Sequence, residues 1–360
     1  MLGGGHSPIS SKYGLSADQV LALQVVLANG SFVTVTEETD TDLFWALRGA
    51  GGSTFGVVTS IISAVYPPDG VTVSTFSFST GLNTSADAFW AGFRAYLDYF
   101  PAHADAGIYT YFWLVPDGNN EYTFIMHPIF AAGQTPAQVD ALVQPWFTQL
   151  DHLGIQIQNL STVYHSNIYD AWRNSFPPLP VGKFNTTNGS RLFARTNWAN
   201  ETILNETFSA LRKTVSSGYR VIAYNFKFPQ PAFSAPNAVN SAFRSALMLA
   251  ITAVSWDPST PPGDILAQIR SFTGPLLDPW RRVSPGSGTY LSEAAVLEPD
   301  FQTSFYGKEQ YGRLLALKRR FDPEGVFYAL RTVGSEAWEL QSRTVAGFPD
   351  QNGRLCRVKA

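Results

Sequence analysis

The stretch that decides the fold is Gly3-Gly4-Gly5-His6, close to the start of the numbered sequence. A second glycine-rich stretch, Gly49-Ala50-Gly51-Gly52-Ser53-Thr54-Phe55-Gly56, follows it. Glycines are grouped in this way where the backbone needs a positive φ or passes close to a ligand. A run like the first normally follows a strand, and only Met1 and Leu2 stand before it. We therefore expect a chain that lacks the N-terminal part of its fold.

The composition is that of an ordinary globular protein. The 360 residues are 45% hydrophobic and 15% charged, and this length allows two domains with a large core. The formal net charge of −3 gives no electrostatic basis for binding nucleic acid. No apolar run reaches the ~18 residues of a membrane span, and the five histidines are scattered. We therefore expect no nucleic-acid partner, no membrane span and no metal site.

Seven Asn-x-Ser/Thr sequons indicate where in or outside the cell the protein occurs. They begin at Asn29, Asn83, Asn159, Asn185, Asn188, Asn200 and Asn205. The motif is short, but this number favours a secreted glycoprotein with N-linked glycans. No signal peptide is visible in the sequence.

The first third of the chain predicts small elements around the glycines. Residues 20–36 predict a β-hairpin that turns at Asn29-Gly30. Asp40 is expected to cap a short helix over residues 42–47, and residues 57–62 are β-branched and strand-like. A break at residues 67–70, Pro-Pro-Asp-Gly, marks the first domain boundary.

The middle of the chain predicts antiparallel strands with helices on one face, which makes the fold class α+β. Strands are expected at residues 71–78, 108–115, 122–129, 219–228 and 247–256. Helices are expected to begin at Ser85, Thr135 and Asn200. A further helix ends near Phe321, a short strand covers residues 326–328, and the tail from residue 334 is expected to be irregular. The predicted domains are 1–68, 69–285 and 286–360.

The second glycine stretch matches neither of two phosphate-binding motifs. A dinucleotide-binding fingerprint lies between a strand and a helix, but here a helix precedes the stretch and a strand follows it. A P-loop needs a Gly-Lys-Ser/Thr sequence, which is missing. Two interpretations stay open: a loop whose backbone N–H groups receive a pyrophosphate or a flavin edge, and a set of plain tight turns.

Phenols and carboxylates occur together near the C-terminal boundary. Tyr290 and Glu293 are close in sequence, and Tyr306 and Tyr311 follow. A phenol or carboxylate beside a cofactor could take a proton from a substrate hydroxyl. Half-buried packing is the alternative for each tyrosine. No Gly-x-Ser-x-Gly elbow supports a hydrolase.

Three ordered stretches resemble the berberine bridge enzyme-like FAD-linked oxidases of the vanillyl-alcohol oxidase superfamily. They are residues 3–20, residues 42–59, and the segment from Tyr306-Gly307 through Phe321-Asp322-Pro323. The tail, with Val333-Gly334-Ser335-Glu336 and Arg354-Leu355-Cys356, resembles that of fungal secreted members. The resemblance implies the C-terminal half of a PCMH-type FAD-binding domain, with an inserted substrate domain of antiparallel sheet covered by helices. The first half-domain and its flavin-tethering histidine would precede the present Met1.

The resemblance also implies which residues contact FAD. By position, the flavin would be lined by Gly3, Gly4, Gly5, His6, Tyr13, Gly14, Leu15 and Asp18, by the backbone of Gly51, Gly52, Gly56, Val57 and Val58, and by Tyr306 and Tyr311. Family members carry Asn where this chain has Gln310 and often where it has Ser292.

The implied activity is that of an oxidase acting on a small molecule. The substrate alcohol or amine would lose hydride to flavin N5, and O2 would reoxidise the flavin. Tyr290 is the expected proton acceptor or orienting group, and Glu293 is the competing candidate. The alternative is an inactive fragment or a secreted glycoprotein that binds small molecules without turnover.

Overall fold

The computed structural model describes residues 1–52, 54–176, 185–342 and 353–358. The strands, in chain order, are β1 Val20–Val26, β2 Phe32–Thr36, β3 Val57–Ser63, β4 Val71–Ser79, β5 Tyr109–Gly118, β6 Glu121–Ala132, β7 Gln158–His165, β8 Thr186–Ala194, β9 Val221–Asn225, β10 Ala246–Ser255, β11 Trp338–Ser342 and β12 Gly353–Arg357. The α-helices are α1 Ser10–Tyr13, α2 Thr41–Leu47, α3 Ala86–Asp98, α4 Phe100–Asp105, α5 Pro136–His152, α6 Ile168–Ser175, α7 Glu201–Ser216, α8 Ala242–Ser245, α9 Pro262–Ser271, α10 Asp278–Arg282 and α11 Lys308–Phe321.

The strands form one sheet of three, in the order β2-β1-β3, and one of seven, in the order β7-β4-β6-β5-β9-β10-β8, with β11 and β12 paired separately. The pairing within both larger sheets is antiparallel. The mixture of helices and antiparallel sheet confirms the predicted α+β class. The predicted hairpin is β1–β2, and Gly30 takes the positive φ that its turn requires.

One face of the seven-stranded sheet, here called the helix face, is sealed by hydrocarbon packing. Phe112 and Leu114 of β5 and Phe124 of β6 are fully buried there, together with residues of α3, α5 and α7. Trp146 of α5 stacks on Tyr96 of α3 with ring centroids 4.2 Å apart. The amphipathic spacing of these helices in the sequence explains why they cover this face.

The opposite face, here called the tyrosine face, carries the alternate residues of the same strands. Tyr109, Tyr111 and Trp113 of β5 project from it because successive side chains of a strand point to opposite sides. Tyr224 of β9 lies directly across from Tyr111 in the strand register, and their rings stack 5.0 Å apart. This face is turned toward the glycine-rich half of the chain.

The two ends of the chain share one core, as the resemblance implies. Residues of α2 and α11 belong to the same buried cluster. The Lys318 ammonium of α11 donates to the carbonyl oxygen of Thr54 at 2.6 Å and to that of Phe327 at 2.7 Å. The Tyr306 hydroxyl lies 3.5 Å from the carbonyl oxygen of Ala50. The C-terminal segment therefore supports the second glycine stretch directly.

The segment between β9 and β10 also packs against the glycine-rich half. β9 ends at Asn225, three residues earlier than expected, because the chain leaves the sheet there and reaches α2. Ala238 donates its N–H to the carbonyl oxygen of Trp45, and Arg48 donates to that of Pro236. The segment joins the larger sheet to the glycine-rich half.

Several predicted elements need correction. Residues 326–328 form no strand, because the Asp322 carboxylate accepts the N–H groups of Val326 and Phe327, and Lys318 binds the Phe327 carbonyl. The tail contains β11 and β12 rather than irregular backbone alone. Its residues 343–352 lie outside the described residues.

The sequence reasoning also missed β7 and β8. The side chains of β7 are mostly exposed on this edge strand, so they show no hydrophobic alternation. β8 contains Asn188 and Gly189, which are rare in strands, and it forms because it pairs with β10.

Helix capping follows the predictions with one exception. Ser85, Thr135 and Asn200 each accept a backbone N–H at the start of their helix. Asp40 precedes α2 with φ 49° and makes no such bond, which corrects the expected cap. Among the described residues, no helix combines the length and apolar character of a membrane span.

Candidate active site between the glycine stretches and the tyrosine face

The two glycine stretches meet in space. Gly51 donates its N–H to the carbonyl oxygen of Leu2 at 2.9 Å. A Cβ placed on Gly3 would lie 3.6 Å from the Cα of Gly51, and the side chain of Leu291 packs 3.3 Å from the Cβ position of either glycine. Gly51 also takes φ 96°, a conformation that favours glycine. The stretches therefore form one backbone platform covered by Leu291.

Three polar side chains gather beside this platform. The Nε2 atom of His6 lies 3.2 Å and 3.4 Å from the carboxylate oxygens of Glu293. The Tyr290 ring packs edge-on against the His6 ring with centroids 5.7 Å apart, and it lies 3.5 Å from the Cβ position of Gly4. Both predicted catalytic residues thus stand together, and His6 contacts each of them.

The tyrosine face supplies the other wall of this cluster. His6 packs edge-on against Tyr224 at 4.9 Å and lies 6.2 Å from Phe226, while Tyr109 lies 5.7 Å from Tyr224. Sequence reasoning missed these residues. The alternation of tyrosines with Thr110 and Phe112 along β5 was a visible signal, but placing Tyr224 needed the strand register.

Burial keeps the phenols of this site protonated. It raises the pKa of Tyr290 above its ordinary value, and the nearby Glu293 charge adds to the rise. Burial also raises the pKa of Tyr109 and Tyr224 well above the ordinary value, and that of Tyr111 to a smaller extent. Such phenols donate hydrogen bonds at neutral pH rather than accept protons. Of the two roles predicted for Tyr290, its surroundings favour orientation.

Four of the residues expected to line the flavin at the N-terminal end, namely Asp18, Leu15, Gly14 and Tyr13, make contacts within the protein. The Asp18 carboxylate is fully buried and accepts hydrogen bonds from the Leu15 N–H, from Asn237 and twice from Arg244. These four bonds use the hydrogen-bonding capacity of both carboxylate oxygens. Leu15 itself is buried in the core. A Cβ on Gly14 would lie 2.3 Å from the carbonyl oxygen of Pro229.

Tyr13 is turned toward the segment that leads into β4. Its ring stacks on Tyr66 at 3.9 Å, and its hydroxyl donates to Asp69 at 2.8 Å. Tyr13 therefore packs against the connection between the two sheets. The backbone of Gly5, by contrast, stays at the platform, where its carbonyl oxygen accepts the Ser16 N–H at 2.8 Å.

The predicted residues of the second glycine stretch and of the C-terminal segment also make contacts within the protein. Gly56 packs against β1, where a Cβ would lie 2.5 Å from the side chain of Val25, and Val57 and Val58 pair with β1. The Tyr311 hydroxyl donates to the Glu336 carboxylate at 2.6 Å. Burial raises the pKa of Tyr306 and Tyr311 as well, so both phenols stay protonated.

The platform fits the flavin that the resemblance implies. A Cβ on the exposed Gly52 would meet no heavy atom within 4 Å, so the backbone here faces open space. A backbone surface beside phenols and an imidazole suits a flat ring with polar edge groups. Gly3, Gly4, Gly51 and Gly52 are the residues that would hold it. The described residues contain no cluster of metal-binding side chains.

The chain is similar to known FAD-linked oxidoreductases. The family described as "Berberine and berberine like" matches residues 289–333, the segment that carries Tyr290, Glu293, Tyr306 and Tyr311. The chain is 32% identical over 358 residues to "FAD-linked oxidoreductase ZEB1" of Gibberella zeae, covering 99% of the chain and 59% of that protein. It is 33% identical over 372 residues to "VAO-type flavoprotein oxidase VAO615" of Thermothelomyces thermophilus, again covering 99% of the chain and 59% of the relative.

The structure agrees with these relatives. It superimposes on the crystal structure of the VAO-type flavoprotein MtVAO615 from Myceliophthora thermophila with a TM-score of 0.86 and 28% identity, covering 99% of this chain and 62% of that one. The chain thus spans about three fifths of the length of the relatives it matches. Residues 289–333 match the berberine and berberine-like family, and over 99% of its length the chain is similar in sequence and in fold to VAO-type FAD-linked oxidoreductases.

Proposed function

We propose that the protein is an FAD-dependent oxidase that removes hydride from an alcohol- or amine-bearing small molecule, with O2 as the final electron acceptor. The observation that carries the proposal is the His6–Tyr290–Glu293 cluster, which stands between the glycine platform and the tyrosine face. Oxidation of an alcohol needs a group with affinity for the hydroxyl proton and a donor that fixes the oxygen. The cluster contains both.

The chain's own residues have distinct tasks in this proposal. Glu293 supplies the negative charge toward which the hydroxyl proton moves. Tyr290 stays protonated and donates to the substrate oxygen, because burial raises the pKa of its phenol. The chemistry that FAD supplies when bound at Gly3, Gly4, Gly51 and Gly52 is acceptance of the hydride.

The tyrosine face would hold the substrate from the other side. Tyr109, Tyr111 and Tyr224 offer a wide aromatic surface whose polar tips can donate hydrogen bonds. Such a surface suits a ringed or polyhydroxylated molecule. Secretion and N-glycosylation belong to the same proposal, since the sequon asparagines Asn29, Asn83, Asn159, Asn188, Asn200 and Asn205 are exposed.

The test uses the full chain, purified and mixed with FAD. Retained flavin absorbance measures cofactor binding. Anaerobic bleaching by a panel of sugars, aromatic alcohols and amines measures hydride removal, and H2O2 formed on admission of air measures the use of O2. Retained flavin that no panel member bleaches would favour the alternative, a small-molecule-binding protein. Failure to retain FAD would contradict the proposal.

Two variants test the roles of the cluster. Glu293→Gln should slow bleaching by about 10²- to 10⁴-fold, the usual contribution of a positioned base. Tyr290→Phe should lose most of its turnover and keep the bound flavin. Glu206→Gln and Tyr169→Phe are matched controls at exposed positions of α7 and α6, and both should behave as the wild type. Unchanged bleaching by Glu293→Gln would remove this carboxylate from the mechanism.

A further inference from the structure

His6 has one ring nitrogen bound and the other without a partner. Its side chain is only 10% exposed. Nε2 lies within hydrogen-bonding distance of both oxygens of Glu293, whereas Nδ1 is buried and, among the described residues, meets no donor or acceptor. A buried polar atom that stays unpaired is destabilising, so a ligand atom is the natural partner for Nδ1.

The partner of Nε2 determines the chemical character of Nδ1. A carboxylate can only accept hydrogen bonds, so the hydrogen of a neutral imidazole lies on Nε2 and is donated to Glu293. Nδ1 then carries a lone pair and is an acceptor. The missing ligand group is therefore a donor, such as the O–H of an alcohol or the N–H of an amine.

The ring cannot turn away from this arrangement. Tyr290 from the C-terminal segment and Tyr224 from β9 pack edge-on against it at 5.7 Å and 4.9 Å, and Phe226 lies at 6.2 Å. The backbone around His6 is also fixed, since the carbonyl oxygens of Gly4 and Gly5 accept N–H groups of residues 17 and 16. Nδ1 therefore keeps a defined direction.

We infer that His6 is the residue that touches the substrate and accepts its proton at Nδ1, while Glu293 acts through the imidazole as a positioning residue. The inference rests on the proposed function. The substrate O–H bond breaks, its proton moves to Nδ1, and its electron pair forms the C=O bond as the C–H hydrogen leaves as hydride to FAD, the oxidant. Glu293 holds the tautomer and stabilises the imidazolium, as the carboxylate does in Asp–His pairs of hydrolases.

A first experiment needs no turnover. The full chain with ¹⁵N-labelled histidine is examined by NMR at a pH where the imidazole is neutral, and the His6 signals are assigned by their loss in His6→Gln. The inference expects hydrogen on Nε2 and a bare Nδ1. Hydrogen on Nδ1 would overturn it, whatever the outcome for oxidase activity.

A second experiment separates substrate from cofactor as the source of the donor. Retention of FAD and anaerobic bleaching are measured for His6→Ala, with the exposed His152→Ala of α5 as the matched control. His6→Ala should bind FAD as the wild type does and bleach about 10²- to 10⁴-fold more slowly, and added imidazole should restore part of the rate. If His6→Ala instead loses bound FAD to the same extent as it loses bleaching rate, the donor lies on a hydroxyl of the FAD ribityl chain. That result would overturn the inference.

The double variant completes the test. Residues that act as a unit are not additive, so His6→Ala/Glu293→Gln should be no slower than the slower single variant. If the rate losses of the two single variants multiply in the double variant, the two residues act independently. Glu293 would then not act through the His6 imidazole. If no panel compound bleaches the wild type, the proposed function fails, and the NMR and FAD-retention results still report on His6.

Discussion

The two faces of the seven-stranded sheet are made by the same strands and have opposite uses. On the helix face, Phe112 and Leu114 are fully buried beneath helices. One residue away along β5, Tyr111 and Trp113 belong to the tyrosine face. The strands cannot slip by one residue without exchanging the two sets. The sealed face therefore also fixes the register in which the polar tips of the other face are displayed.

The comparison shows how stability and chemistry are divided across one layer. The side chains on the helix face contribute mainly through burial, which needs close packing but little directional precision. The tyrosine face needs direction, because each hydroxyl must meet a ligand atom. We expect substitutions on the two sides to affect different measurements.

Trp146→Ala, on the helix face, should give the largest loss of stability. The indole is fully buried, stacks on Tyr96 and donates to the carbonyl oxygen of Gly92. Its removal leaves a cavity and should lower the free energy of unfolding by about 3–5 kcal/mol. Urea unfolding followed by circular dichroism measures this. The exposed Trp172→Ala should change it by only about 0.5 kcal/mol, and a similar loss for both would erase the contrast between the positions.

Ser85→Ala should give an intermediate effect. Ser85 caps α3, one of the helices on the helix face, by accepting the Ala88 N–H at 3.1 Å. Loss of that bond should cost about 1 kcal/mol in the same assay. Ser209→Ala, at an exposed position within α7, is the matched control. Equal effects of the two substitutions would count against the role of the bond.

Tyr224→Phe, on the tyrosine face, should have the smallest effect on unfolding, about 0.5 kcal/mol or less. The stacked ring remains and only the hydroxyl is lost. If this hydroxyl binds substrate, bleaching of the bound flavin should slow by about 2- to 10-fold, the value of one neutral hydrogen bond. A large loss of stability with unchanged bleaching would mean that Tyr224 contributes to folding and not to chemistry, which would contradict the division between the two faces.

Much of the fold could be predicted from the sequence because its signals are local. The turn at Asn29-Gly30 and the caps at Ser85 and Asn200 need only neighbouring residues. β8 could not be found in this way, since its Gly189 gives no strand signal and the strand depends on β10. The predicted strand at residues 326–328 was wrong. The side chains of Lys318 and Asp322 bind the backbone groups that would otherwise pair with a neighbouring strand.

The candidate site was predicted only in part. Tyr290 and Glu293 follow from their closeness in sequence, and their place beside His6 appears only in three dimensions. The contacts of Asp18 could not be foreseen because the sequence does not show that Arg244, 226 residues away, is its partner. The contribution of Tyr224 also depends on long-range pairing that one sequence does not reveal.

The buried bond between Asp18 and Arg244 has a practical consequence for protein engineering. Arg244 lies in the segment between β9 and β10, yet it neutralises a carboxylate that shapes the loop around Leu15. A seven-stranded sheet grafted from a relative without this segment would leave that carboxylate buried and uncompensated, at a typical cost of about 3–5 kcal/mol. Chimeras with relatives should therefore keep residues 226–245 with the recipient scaffold and exchange the strands on either side.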